Sequence, residues 1–220
     1  MGYQLMIFDL DGTLLNTLED LADSVNYVLW KHGYPERTVD EVRSFVGNGI
    51  RKLVERAVPG GTSTGEMDRV QEVFNRYYKV HCADKTGPYE GILALLCALR
   101  AAGCRTAVVS NKPDYGVQEL CGQYFAGMFD FAVGERTGIA RKPAPDSVNE
   151  VLRVLQVESA DAVYIGDSEV DVETAEHARM DHIIVTWGFR EKGFLVERGA
   201  KRLVDSPEEI RRIILEEKNA

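Results

Sequence analysis

Two aspartates one residue apart, Asp9 and Asp11, stand in the run Phe8-Asp9-Leu10-Asp11-Gly12-Thr13-Leu14. Carboxylates this close repel each other unless they share a cation or a proton. Further along come a hydroxyl and an amide in Ser110-Asn111-Lys112 and an ammonium in Arg141-Lys142-Pro143. A second acidic pair follows in Gly166-Asp167-Ser168-Glu169-Val170-Asp171. Gathered at one point, these groups could handle a phosphoryl group. Asp9, Asp167 and a backbone carbonyl offer hard oxygens suited to magnesium, which binds one or two carboxylates plus substrate phosphate. A carboxylate facing such a cation can attack phosphorus, because anion–anion repulsion is screened. Ser110 can donate a hydrogen bond and Lys142 a positive charge to the phosphoryl oxygens, with Asn111 a further candidate beside them. Asp11 is left to protonate the departing alkoxide and later to take a proton from water.

Such convergence requires a particular set of elements. Leu5-Met6-Ile7-Phe8 is a short continuous apolar run, the mark of a fully buried strand. Gly12 breaks that run, so both acids emerge at the strand's C-terminal end, where open α/β sheets bind ligands. Further strands are expected at Thr106–Val109, near Phe131–Val133, at Ala162–Ile165, at His182–Val185 and, briefly, at Arg202–Val204. Helical spacing marks 92–99, 114–123, 169–178 and the closing stretch around Ile210–Ile214. Asp146 is placed to cap a helix through Leu155, and Asp167 to cap the one after it. This alternation predicts a doubly wound, Rossmann-like parallel sheet.

Between the first strand and the rest the pattern is purely helical. Leu18, Leu21, Ala22, Val25, Val28 and Leu29 recur at three- and four-residue spacing up to Gly33 and Pro35. Thr38 can cap a short helix through Phe45, a third holds Ile50 to Ala57, and a longer one runs from about Gly65 to Val80. The expected division is therefore an α/β core of residues 1–16 and 83–220 with an all-helical insertion at 17–82.

Composition narrows the partners. A net charge of −9 argues against nucleic acid and anionic membranes, which reward Lys and Arg. No apolar run approaches the ~18 residues that span a bilayer, and no signal-peptide pattern is present, so the expectation is a cytoplasmic enzyme. The four cysteines lack metal-ligand spacing and are expected to be buried free thiols. No role falls to the four histidines.

In order and spacing, Asp9-Leu10-Asp11-Gly12-Thr13-Leu14, Ser110, Lys142 and Gly166-Asp167-Ser168-x-x-Asp171 resemble the four motifs of the haloacid dehalogenase superfamily. The resemblance implies Asp9 as nucleophile, Asp11 as acid/base, and Ser110 and Lys142 as phosphoryl ligands. It also implies magnesium held by Asp9, the Asp11 carbonyl and Asp167, with Asp171 supporting as an outer ligand or an anchor for Lys142. The insertion looks like the family's mobile C1 cap. Its Phe45-Val46-Gly47-Asn48-Gly49-Ile50-Arg51 resembles the specificity loop of the phosphoglycolate phosphatase branch, making Gly49 and Arg51 candidate substrate contacts. A small phosphorylated metabolite is the implied partner, phosphoglycolate first, for a monomer or homodimer. Inorganic pyrophosphatase, nucleotidase and β-phosphoglucomutase-like chemistry remain alternatives. A receiver-type phosphoryl-accepting regulator, about half this length and without an insertion, is the remote one.

Overall fold

Residues 2–216 are described by the computed structural model. Its centre is the predicted first strand, β1 (Leu5–Phe8), whose four side chains are all fully buried. It lies between β4 (Arg105–Pro113) and β6 (Ala162–Gly166), parallel to both. Outward from these run β5 (Phe131–Glu135) on one side, and β7 (Asp181–Val185) then β8 (Leu203–Val204) on the other. Among the described residues this makes a six-stranded sheet ordered β5-β4-β1-β6-β7-β8, with every neighbouring pair parallel.

The period of two along each strand divides the core by face. Leu5, Ile7, Ala107, Val109 and Tyr164 pack with Val148, Val151 and Leu152 of α7 (Asp146–Leu155) and Ala175 of α8 (Glu169–His177). Met6, Phe8, Val108, Val163 and Ile165 pack on the opposite face. There they meet α5 (Ile92–Ala101), α6 (Asp114–Tyr124) and α10 (Pro207–Leu215). A short helix, α9 (Lys192–Glu197), which the sequence pattern did not suggest, sits between β7 and β8.

Four helices fill the predicted insertion: α1 (Leu18–Lys31), α2 (Val39–Phe45), α3 (Gly49–Ala57) and α4 (Thr64–His81). Thr38 caps α2 in a reciprocal capping box with Glu41. Where the chain leaves and re-enters the α/β part, β2 (Leu15–Asn16) and β3 (Gly87–Pro88) pair antiparallel, which the sequence did not foretell. Just beyond, Asp20 is buried in the first turn of α1 and ties the two crossings together. Its carboxylate accepts from the Lys85 and Thr86 backbone N–H groups and from the Thr86 hydroxyl, at 2.7–3.1 Å.

Several local expectations are corrected. Pro145 occupies the N-cap of α7 and Asp146 is its first helical residue, so Asp146 acts through the helix dipole rather than as a cap. Ser168, not Asp167, is the N-cap of α8, because Asp167 turns its carboxylate into the site. Cys97 is exposed, lying off the Ile92-Leu95-Leu96-Leu99 face of α5, whereas Cys82, Cys104 and Cys121 are buried. Strand β4 runs on to Pro113, with a register shift against β5 after Val109.

Replacing Asp20 by Ala strands three donors at once, the two of Thr86 buried and that of Lys85 partly so. We expect a loss of about 2–4 kcal/mol in urea unfolding, while Lys85→Ala, which removes an exposed pair with Asp23, should change the midpoint far less. Equal effects of the two substitutions would contradict the assignment.

Candidate active site

Four segments distant in sequence meet at the C-terminal ends of β1, β4 and β6. Gly12 sits at φ +85°, and a Cβ there would run into the Asp167 carboxylate, so this turn brings the two loops into contact only because it is glycine. One oxygen from each of Asp9, Asp167 and Asp171 lies within 4.8 Å of the others.

Lys142 is wired into this cluster. Its Nζ lies 3.0 Å from Asp9 Oδ1 and 2.8 Å from Asp171 Oδ1, and donates to the Tyr164 hydroxyl at 2.9 Å. Tyr164 in turn donates to the Val109 carbonyl. Asp171 is fully buried, and its Oδ2 accepts from Asp167 N–H, Ser168 N–H and the Ser168 hydroxyl. With both oxygens occupied, Asp171 holds Lys142 and the Asp167–Ser168 backbone in place. Asp167 is held by Phe189 N–H at 2.7 Å and more loosely by Thr13. On Asp9 both donors, Leu10 N–H and Lys142, fall on Oδ1, which leaves Oδ2 without a donor among the described residues.

Electrostatics tell the same story. Burial, reinforced by Asp171 and Asp11 against the pull of Lys142, raises the Asp9 carboxyl to about 6. Burial, then Asp171 and Asp9, push Asp167 well above the usual carboxylate range. Burial alone would lower the Lys142 ammonium, yet attraction by Asp171 and Asp9 outweighs it and keeps it charged. More negative charge is packed here than one lysine balances, so a divalent cation fits these residues.

Beside the cluster is a cavity of about 50 Å³. Asp9, Asp11, Ser110, Asn111, Asp167 and Gly49 contribute to its wall. Lys142 and Asp171 do not line it; Lys142 reaches the site through Asp9, and Asp171 through Lys142 and the backbone of Asp167. Asn111 spends its amide hydrogens on the carbonyls of Gly47 and Lys142, both at 3.0 Å. The structure does not bring Arg51 to the site. In α3 the buried face is Ile50, Leu53, Val54 and Ala57, and Arg51 turns away to bond Asp68 and Gln71 of α4.

Two groups that sequence reasoning passed over also stand here. Lys112, given no role from the sequence, is buried with its Nζ 3.0 Å from Asp11 Oδ1 and bonded to the Tyr78 hydroxyl of α4. The available signal was spacing, since on an extended strand Lys112 shares a face with Ser110. Arg190, which follows Phe189, pairs with Glu169 and donates to the Arg43 and Val46 carbonyls.

A family model described as haloacid dehalogenase-like hydrolase matches residues 6–185. The chain is 37% identical over 198 residues to a phosphoglycolate phosphatase of Psychrobacter arcticus, covering 86% of each. It is 35% identical to that of Rhodobacter capsulatus, covering 84% of this chain and 85% of that one. A Lactobacillus delbrueckii crystal structure, provisionally named a phosphoglycolate phosphatase, superposes with a TM-score of 0.93 at 43% identity, covering 98% and 99% of the two chains.

A carboxyl whose folded pKa lies above its unfolded value adds stability only while protonated; that contribution is gained as pH falls through the folded value and lost as it rises. At neutral pH Asp9 and Asp167 are therefore a liability that a cation can relieve. Millimolar divalent cation should raise the melting temperature more at about pH 7.5 than at about pH 5, where protons hold Asp9. An equal rise at both pH values would contradict this.

Proposed function

The chain belongs to the haloacid dehalogenase-like hydrolases and is a phosphatase of that family, and on that premise we propose how its residues work and on what. The reaction is hydrolysis of small phosphate monoesters through an aspartyl phosphate on Asp9, with 2-phosphoglycolate the leading substrate. One observation carries the mechanism: Asp9 keeps a free oxygen inside a cavity that also holds Ser110, Asp11 and Asp167. The substrate rests on the relatives that bear the name phosphoglycolate phosphatase, which align with 86% and 84% of this chain.

Asp9, Asp167 and the Asp11 carbonyl would hold magnesium, which when bound neutralises the acidic cluster and polarises the phosphoryl oxygens. Asp9 attacks phosphorus as the ester oxygen leaves. Asp11 gives that oxygen a proton, then takes one from the water that cleaves the phosphoenzyme. Ser110 hydrogen-bonds the phosphoryl group in flight, with Asn111 beside it. Lys142 keeps Asp9 aimed and adds positive charge next to it, while Asp171 and Tyr164 fix Lys142. Residues 17–82 form the cap, which opens to admit substrate and closes to exclude water. The Gly47–Gly49 stretch forms the cap's floor over the phosphate, and Arg51 contributes through α4 rather than by touching substrate.

In a panel of phosphate esters with magnesium, Asp9→Asn should abolish steady-state turnover. Asp11→Asn should slow it roughly 10²–10⁴-fold while leaving cation binding intact. Sustained turnover by Asp9→Asn would remove the nucleophile from the scheme, and pyrophosphate or a nucleotide preferred over 2-phosphoglycolate would replace the substrate.

A further inference from the structure

Lys112 and Tyr78 have no part in the scheme above, although with Asp11 they form one wall of the cavity. Among the described residues, Lys112 is the only hydrogen-bond donor to the Asp11 carboxylate, and it takes Oδ1 at 3.0 Å. Its side chain is 2% exposed and that of Asp11 14%. The ammonium in turn bonds the Tyr78 hydroxyl and lies 4.7 Å from the centre of that ring. Tyr78 is itself fully buried, on the Val70-Phe74-Tyr78 face of α4. The lysine stem runs along Gly116 of α6, where a Cβ would stand 3.3 Å from Lys112 Cε. Every part of this side chain is therefore held, by the core along its stem and by the insertion at its tip.

A carboxylate that must give a proton to a leaving oxygen needs a fixed orientation, since misplacement by about 1 Å can cost two orders of magnitude. From this arrangement we propose that Lys112 is the positioning residue for Asp11: it pins Oδ1 and leaves Oδ2 to carry the transferred proton, and Tyr78 holds Lys112 in place. The inference rests on Asp11 being the acid/base. In the first half-reaction the Oδ2–H bond breaks, the proton passes to the ester oxygen, and the P–O bonding pair stays on that oxygen. Lys112 keeps all its protons throughout. Because Tyr78 comes from α4, the acid is fully oriented only when the insertion is seated on the core.

Leaving-group dependence separates this role from phosphate binding or folding. An alkoxide such as glycolate must be protonated as it departs, whereas the acetate leaving acetyl phosphate need not be. With saturating magnesium, Lys112→Met should lower kcat/KM for 2-phosphoglycolate about 10–100-fold, and for acetyl phosphate by about tenfold less than that. Tyr78→Phe should show the same selectivity with a smaller loss, and the double variant should fall no further than Lys112→Met, as expected of residues acting in series. Should Lys112→Met fail to fold by circular dichroism, Tyr78→Phe carries the test. Equal losses on both substrates, or a raised KM with unchanged kcat, would overturn the proposal. Asp11→Asn run in parallel distinguishes the two levels. If its loss falls selectively on 2-phosphoglycolate and those of the Lys112 and Tyr78 variants do not, only the positioning role falls. If it loses both substrates equally, the acid assignment falls and the positioning role with it.

Discussion

One buried ammonium, that of Lys142, holds the acidic centre together. Removing a carboxylate from water costs about several kcal/mol per ion even after relaxation, and Asp9, Asp167 and Asp171 are all buried. Lys142 bridges two of them and is itself steadied by Tyr164. Asp171 then uses its remaining oxygen to organise the backbone at Asp167 and Ser168 and so to start α8. Loss of this lysine would leave Asp171 a buried charge without a counterion, and the loop presenting Asp167 without its scaffold. Stability and chemistry thus depend on the same atom.

The second buried lysine repeats the design with a different division of labour. Both ammonium groups sit between a carboxylate and a buried tyrosine hydroxyl. Around Lys142 every partner comes from the α/β part, so the unit is permanent. Around Lys112 the tyrosine comes from α4, so that unit is complete only with the insertion in place. On the roles proposed above, Asp9 as nucleophile has to be ready at all times, whereas Asp11 as acid is useful only once substrate is enclosed.

What the sequence revealed follows from which interactions are local. Buried strands show as apolar runs, and a glycine after one marks where side chains emerge; hence β1, β6 and the acids beyond them were legible, as was the alternation that makes the sheet parallel. Thr38 and Glu41 form a capping box readable within four residues. Illegible were features decided by a partner far along the chain. Lys112 looks like a turn residue until Asp11 and Tyr78 arrive beside it. Arg51 has the composition of a ligand, yet its direction was set by which face of α3 packs. Cys97 looked apolar by its neighbours, but a helix buries only one stripe. Asp146 and Asp167 both fitted a cap by type, and the choice fell to Pro145 and to the Ser168–Asp171 pair.

The link between the acidic centre and the insertion is the short segment Gly188-Phe189-Arg190. Phe189 N–H fixes Asp167, and Gly188 can lie against that aspartate only because it has no side chain to collide with it. The next residue, Arg190, is balanced by Glu169 and donates to the carbonyls of Arg43 and Val46. Those carbonyls lie at the C-terminal end of α2, where acceptors lack partners within the helix and a positive charge is favoured by the dipole. Asn111 and Arg141 add donors to the next two carbonyls, of Gly47 and Asn48. Each such bond is worth about 0.5–1.5 kcal/mol net, and water can replace it when the surfaces part. A contact surface built from a few exchangeable bonds to backbone carbonyls suits the proposed cap, which must stay shut around a substrate and then release product. The segment that makes the Arg190 contacts also positions Asp167, so the acidic centre and the edge of the insertion are joined through two adjacent residues, Phe189 and Arg190.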